Sequence, residues 1–225
     1  YTYAMVRDGD LMEGVSAEAA SCGGAQRLGK LIYLYDSNQI SIEGDTQVTY
    51  REDVAERFRG YGWQVIGPID GLDLEAVDGA LQVAKRNREQ PTLIICRTVI
   101  GYGSPNKAST GEVHGAPLGP EEVALTKKNL GWPLEPEFYV PDDVLAHFRQ
   151  AVERGEEAET AWDELLEQYH DAHPEQAGEF DRMVSGELPE GWDAGIPEFS
   201  PEDGPVATRA AGGKALNGLF KNLPD

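Results

Sequence analysis

Positive charge is scarce in this sequence. Lysine and arginine number 19 against 40 aspartates and glutamates, giving a formal net charge of -21 at pH 7. A chain so acidic repels nucleic acid and anionic membrane surfaces, so neither is expected as a partner. An anionic ligand would have to be held by a metal ion, backbone amides and a few placed cations. Cysteine is scarcer still, with only two residues, Cys22 and Cys96. One falls in a small-residue stretch and the other in an apolar run. Both read as buried, reduced core residues, and neither a disulfide framework nor a Cys/His metal site follows. No apolar run is long enough to cross a membrane, and no secretory signal is visible. A soluble, cytoplasmic protein is the expectation.

What is present suffices for a core. The 225 residues are 40% hydrophobic, enough for one large or two small domains. The acid excess gathers in the second half, around Glu153 to Glu167 and Glu187 to Asp203. A solvated acidic face is the plain reading of those runs.

Apolar, β-prone runs alternate with helical patterns. Tyr1 to Val6 and Leu31 to Tyr35 read as buried strands, with a helix from Ser16 to Gln26 between them. Such a unit is βαβ, and its strands are parallel, so their carboxyl ends lie on one edge of the sheet. Asp8 and Asn38 each stand just past such an end. Arg51 to Gly60 is amphipathic, Gly62 to Ile66 reads as a strand, Leu74 to Arg88 as a helix, and Thr92 to Arg97 as a further central strand. The alternation predicts an α/β fold with a doubly wound parallel sheet, whose ligands bind beyond the carboxyl ends of the strands. The loop after Arg97, running to Gly119, is unusually long, which in a compact domain points to function or disorder. Helices are expected from Pro120 to Leu130, Pro141 to Glu153 and Thr160 to His173, as a tail covering the sheet domain. Residues 185–204, rich in Gly, Pro and acids, read as a linker. A helix-like run, Ala210 to Phe220, follows.

Asp-Gly-Asp after a strand is often only a turn. Paired with Asn38 at βαβ spacing it offers a carboxylate, an amide oxygen and backbone carbonyls, hard oxygen ligands suited to magnesium that also holds a phosphate. The segments Asp8-Gly9-Asp10-Leu11-Met12-Glu13-Gly14 and Asn38-Gln39-Ile40-Ser41-Ile42 resemble the thiamine diphosphate motif as it is written in transketolases. The loop Ile100-Gly101-Tyr102-Gly103-Ser104-Pro105-Asn106-Lys107, followed by His114-Gly115-Ala116-Pro117-Leu118-Gly119, is similar to the same family.

The resemblance implies thiamine diphosphate with magnesium, or calcium in its place, as cofactors. It implies metal binding by the side chains of Asp8 and Asn38 and the carbonyl of Ile40. It implies approach of the Gly9 amide to the diphosphate, where no Cβ intervenes. It places His114 against the cofactor diphosphate and the sugar substrate, a role imidazole can fill by donating to an oxyanion or shuttling a proton. Glu13 matches a carboxylate at the subunit interface near the cofactor's hydrogen-bond network. Arg209 matches an arginine that grips the substrate phosphate, for which a bidentate guanidinium is suited; a helix-start arginine in a salt bridge is its plain alternative. Lys107 is a weaker candidate, and His147, His170 and His173 receive no role. One departure stands out: the first glycine of the motif is Arg7 here.

The implied fold is therefore an incomplete thiamine diphosphate-binding fold. Residues 1–184 would form a partial diphosphate-binding domain with a helical tail, 185–204 the linker, and 205–225 the start of the pyrimidine-binding domain. The implied activity is transfer of a two-carbon ketol unit between sugar phosphates by a homodimer, with this chain expected to be a fragment not competent alone. Within the same cofactor class, dihydroxyacetone synthase and deoxyxylulose phosphate synthase are alternatives; the Lys107 and His114 loop argues against the second. A non-catalytic dimerisation or binding module is the alternative of another class. A Rossmann-type nucleotide enzyme fits worst, because no Gly-x-Gly-x-x-Gly follows the first strand.

Overall fold

The computed structural model describes residues 1–223, so the last two residues of the expected 205–225 segment lie outside the described residues. The chain divides into two compact units, residues 1–139 and 140–225.

The first unit is built on a four-stranded parallel sheet. Its strands are β1 (Thr2–Arg7), β2 (Leu31–Ser37), β5 (Gln64–Asp70) and β6 (Thr92–Arg97), in the order β1-β2-β6-β5. A small hairpin, β3 (Ile40–Ser41) with β4 (Gly44–Asp45), follows β2. Period-two alternation sends successive side chains to opposite faces. On one face Tyr35, Leu93 and Ile95 pack with Leu11, Ala20, Val54, Phe58 and Trp63. Those partners come from α1 (Asp8–Met12), α2 (Gly14–Ala25), α3 (Val54–Gly60) and the turn before β5. On the other face Ile32, Ile94 and Cys96 pack with Ala80 and Ala84 of α4 (Leu74–Arg86). Helices therefore cover both faces, and the central strand β6 is buried from Thr92 to Cys96, which is why it reads as a continuous apolar run.

Local chemistry fixes the element ends. Asp53 accepts from the Glu56 amide and starts α3; Asp73 accepts from the Glu75 and Ala76 amides and starts α4. Such caps satisfy amides that a helix's first turn leaves open. The small residues of α2 let it lie close to the turn before β5: a Cβ added to Gly24 would stand 1.8 Å from the Tyr61 carbonyl oxygen. The Trp63 indole N–H donates to the Ala20 carbonyl at 2.7 Å and ties the same contact.

Three features of this unit differ from the sequence expectation. Cys22, expected to be buried, is exposed on α2, whereas Cys96 is buried as expected. The strand expected over 62–66 runs on to Asp70, through a register shift between Ile66 and Ile69. The intervening Pro68 has no N–H to give a ladder, and an edge strand tolerates that loss. The turn after β1 is the short helix α1.

The second unit is helical. The helices expected over 141–153 and 160–173 are one, α7 (Asp142–Ala172). Gly155 lies inside it; an interior glycine costs about 1 kcal/mol relative to alanine, and the surrounding glutamates and alanines sustain the helix. A further helix, α8 (Pro174–Ser185), was not expected. Pro174 occupies its first turn, and Gly186, at φ 76°, closes it with its own N–H on Met183 O. After it the acidic stretch reaches α9 (Thr208–Leu219). Gly195 and Gly218 meet closely there, since a Cβ on either would stand within 2.3 Å of the other's carbonyl oxygen.

Candidate cofactor site

The carboxyl edge of the sheet is where the candidate residues gather. Register pairs Arg7 with Asp36, so the chain leaves β1 and β2 side by side. Asp8 opens α1, and Asn38-Gln39-Ile40 leads from β2 into the hairpin. A cleft of about 690 Å³ opens over this edge, and Gly9, Asn38, Ile40 and His114 all line it. Residues from three separated parts of the chain are thus brought to one place.

Asp8 is 2% exposed. Its Oδ1 accepts from the Tyr35 hydroxyl at 2.5 Å, and its Oδ2 accepts from the Gln39 amide at 3.1 Å. A carboxylate has room for about four hydrogen bonds, so lone pairs remain on both oxygens. Asp8 lines a second cavity of about 440 Å³, together with Tyr35, Ser37, Thr46, Tyr50 and Arg97. Burial raises the Tyr35 phenol's pKa above its ordinary value, and the Asp8 carboxylate raises it further. Tyr35 therefore stays protonated and acts as a donor.

Asn38 Oδ1 accepts from the Ile40 amide at 3.0 Å, and Asn38 Nδ2 makes long contacts of 3.5 Å to both Asp36 oxygens. Asp36 also accepts from the Thr98 hydroxyl. Between Asn38 and Ile40, Gln39 holds φ at 63°, the left-handed region that residues with a Cβ rarely enter. That conformation turns the Gln39 amide onto Asp8, joining the two strand ends by a hydrogen bond. At Gly9, a Cβ would meet nothing within 4 Å; the fold does not require glycine there, and open space borders its backbone.

His114 lies in the short helix α5 (Glu112–Gly115) of the long loop and is exposed. Helix α6 (Pro120–Asn129) pins that loop. Its buried Glu122 accepts from the Ser104 hydroxyl, and from the Asn106 amide and side-chain nitrogen at 2.9 Å each. The Ser104 and Asn106 donors hold the Glu122 carboxyl below its ordinary pKa. Lys107 Nζ donates to the Leu118 carbonyl at 3.1 Å, closing the loop's base; it does not line the cleft. Glu13 joins α1 to α2, exposed and outside the cleft lining. Arg209 is the second residue of α9, in the other unit.

Tyr35, Asp36, Gln39, Thr98 and Glu122 are participants that sequence reasoning missed. Alternation along β2 was a usable signal for Tyr35 and Asp36. Nothing in the sequence marks Gln39 as left-handed or Glu122 as buried.

Among the described residues no three His, Cys, Asp or Glu side chains cluster as a metal site. The donor set at issue differs: one carboxylate, one amide oxygen and one backbone carbonyl. These are hard oxygen donors with lone pairs to spare, which suits magnesium or calcium completed by phosphate oxygens.

Comparison with known proteins identifies a family. Residues 1–189 match the family model described as transketolase, thiamine diphosphate binding domain. A transketolase of Nostoc sp. is 51% identical over 226 residues, covering 100% of this chain and 34% of its own length. One from Geobacillus stearothermophilus is 48% identical, with the same coverage. The solved transketolase of Leishmania mexicana superposes with a TM-score of 0.88 at 40% identity, over 100% of this chain and 33% of that one. That of Pichia stipitis, in complex with sedoheptulose-7-phosphate, gives 0.88 at 39%. The chain spans about a third of the length of these relatives. It belongs to the transketolase family, to whose thiamine diphosphate-binding domain its first 189 residues correspond.

Proposed function

We propose that this chain holds the diphosphate of thiamine diphosphate through magnesium, or calcium, at the cleft over the carboxyl edge of the sheet. The observation that carries the reading is the convergence of Gly9, Asn38, Ile40 and His114 on one cleft, with Asp8 tied to Gln39 beside them. Asp8, Asn38 and the Ile40 carbonyl would hold the metal. Gly9 would let its amide reach a diphosphate oxygen. His114 would donate to the diphosphate and to the sugar.

When bound, the cofactor supplies a nucleophilic thiazolium carbon and an electron sink. The chain's residues bind, orient and hold protons. In the complete protein the activity is transfer of a two-carbon ketol unit between sugar phosphates, a ketose donor and an aldose acceptor, within a homodimer. The relatives' solved complexes with xylulose-5-phosphate and sedoheptulose-7-phosphate support that substrate class. Glu13 would serve the subunit interface and Arg209 the substrate phosphate. The domain layout in this reading is 1–184 for diphosphate binding, 185–204 as linker and 205–225 as the start of the pyrimidine-binding domain.

Calorimetric titration with thiamine diphosphate, with and without magnesium, tests the reading. Saturable binding that needs the metal is expected. A folded dimer that ignores the cofactor would instead be a non-catalytic module. Turnover of a ketose phosphate by the isolated 225-residue chain would overturn the expectation that it is incompetent alone.

A further inference from the structure

We infer that Arg7 is a phosphate-binding residue of the cleft. The inference rests on the cofactor reading above and adds a permanent side-chain cation to a site otherwise served by a metal, backbone amides and His114. Arg7 ends β1 and lines the same cleft as Gly9, Asn38 and His114. It is the lining residue with a permanent positive charge.

Three carboxylates stand close in the chain or in register, and each is engaged elsewhere: Asp8 accepts from the Tyr35 hydroxyl and the Gln39 amide. Asp36, the register partner of Arg7, accepts from Thr98 and contacts Asn38. Asp10 Oδ2 accepts from the Arg7 backbone amide at 2.8 Å, so that contact uses the main chain and leaves the guanidinium out. Among the described residues the Arg7 guanidinium joins no ion pair or hydrogen bond.

The chain carries 19 basic against 40 acidic residues, so a cation with no acidic partner inside a cleft is a scarce means of holding an anion. A guanidinium offers a planar fork of donors matched to two phosphate oxygens. The ligand chemistry is a phosphate oxyanion. Its source is either the diphosphate of the cofactor or the terminal phosphate of a sugar.

The experiment compares the wild type with Arg7→Gln and Arg7→Lys in the complete protein. Thiamine diphosphate, inorganic diphosphate and a ketose phosphate are each titrated at two salt concentrations. Arg7 is exposed, so unfolding midpoints of the variants should match the wild type. Losing a charge-assisted hydrogen-bonding partner should weaken phosphate binding about 10- to 100-fold in Arg7→Gln. Arg7→Lys should recover part of that, and the salt dependence should flatten in Arg7→Gln. A loss shared by thiamine diphosphate and inorganic diphosphate assigns Arg7 to the cofactor. A loss confined to the ketose phosphate assigns it to the substrate. Unchanged affinity for all three overturns the inference while leaving the cofactor reading in place. A wild type that binds no thiamine diphosphate, yet loses phosphate binding on Arg7→Gln, defeats the cofactor reading and keeps the inference.

Discussion

The hydroxyl of Tyr35 donates to Asp8 Oδ1 at 2.5 Å, joining residues 27 apart in sequence at the ends of two neighbouring strands. Together with the Gln39 amide it fixes both oxygens of a nearly buried carboxylate. Tyr35→Phe removes one donor and fills the same space. A hydrogen bond to a charged group contributes about 1.5–3 kcal/mol, and a loss of that size is expected in urea unfolding. Magnesium affinity should fall as well, because the carboxylate loses its orientation. Unchanged stability and metal affinity would make the contact incidental.

Gly9 and Gly24 are predicted to respond in opposite ways to alanine. At Gly24 the new Cβ would stand 1.8 Å from the Tyr61 carbonyl oxygen. Helix α2 must then shift, at a cost of about 1–3 kcal/mol, read as a lowered unfolding midpoint. At Gly9 the Cβ meets nothing within 4 Å. Removing a helical glycine there should leave stability unchanged or raise it by about 0.5–1 kcal/mol. Thiamine diphosphate binding should nevertheless weaken, since the Cβ would occupy the approach to the backbone. Calorimetric titration beside thermal unfolding separates the two effects.

Much of this was legible before the structure. Alternating apolar runs gave the parallel sheet, because strands covered on both faces are apolar along their buried length, as Leu93 to Cys96 are. Asp8 and Asn38 were expected at one sheet edge because parallel pairing puts strand ends together whatever lies between. The fusion of two expected helices into α7 was not legible: Gly155 reads as a break in local propensity, yet the helix continues through it. Helix α8 was missed although Pro174 and Gly186 are ordinary start and stop residues. Burial of Glu122 depends on where a loop folds back, which no local pattern encodes.

Glu122 gives the loop a dependence on pH. Its carboxyl is held below the ordinary glutamate value by the Ser104 and Asn106 donors. A group depressed in the folded state contributes stability that is fully present above its unfolded pKa. That contribution is lost as pH falls through the folded value. Protection of the Asn106 amide, which donates to Glu122 Oε1, should therefore hold at neutral pH and decline below the ordinary carboxylate range. Hydrogen exchange followed from pH 7 downward over roughly five units, well past the ordinary glutamate value of about 4.3, checks this. Glu122→Gln should abolish the acid-side decline; persistence of the same decline would place its origin in another group.

His114 is exposed and its side chain holds no part of the core. His114→Ala should change stability by less than about 0.5 kcal/mol. If the imidazole handles oxyanion or proton at the cleft, turnover in the complete protein should fall by about 10²–10⁴. Intact turnover would remove His114 from the chemistry.

All four main strands run the same way, which gives the first unit two unlike rims, a carboxyl rim that carries the cleft and a blank one opposite. Seven-residue β2 spans the sheet, about 23 Å at 3.3 Å per residue. At the blank rim, Glu89 pairs with Arg27 at 3.8 Å, both side chains more than three-quarters exposed. A dye or a surface tether attached at Glu89 would hold the first unit by the rim opposite the proposed cofactor cleft.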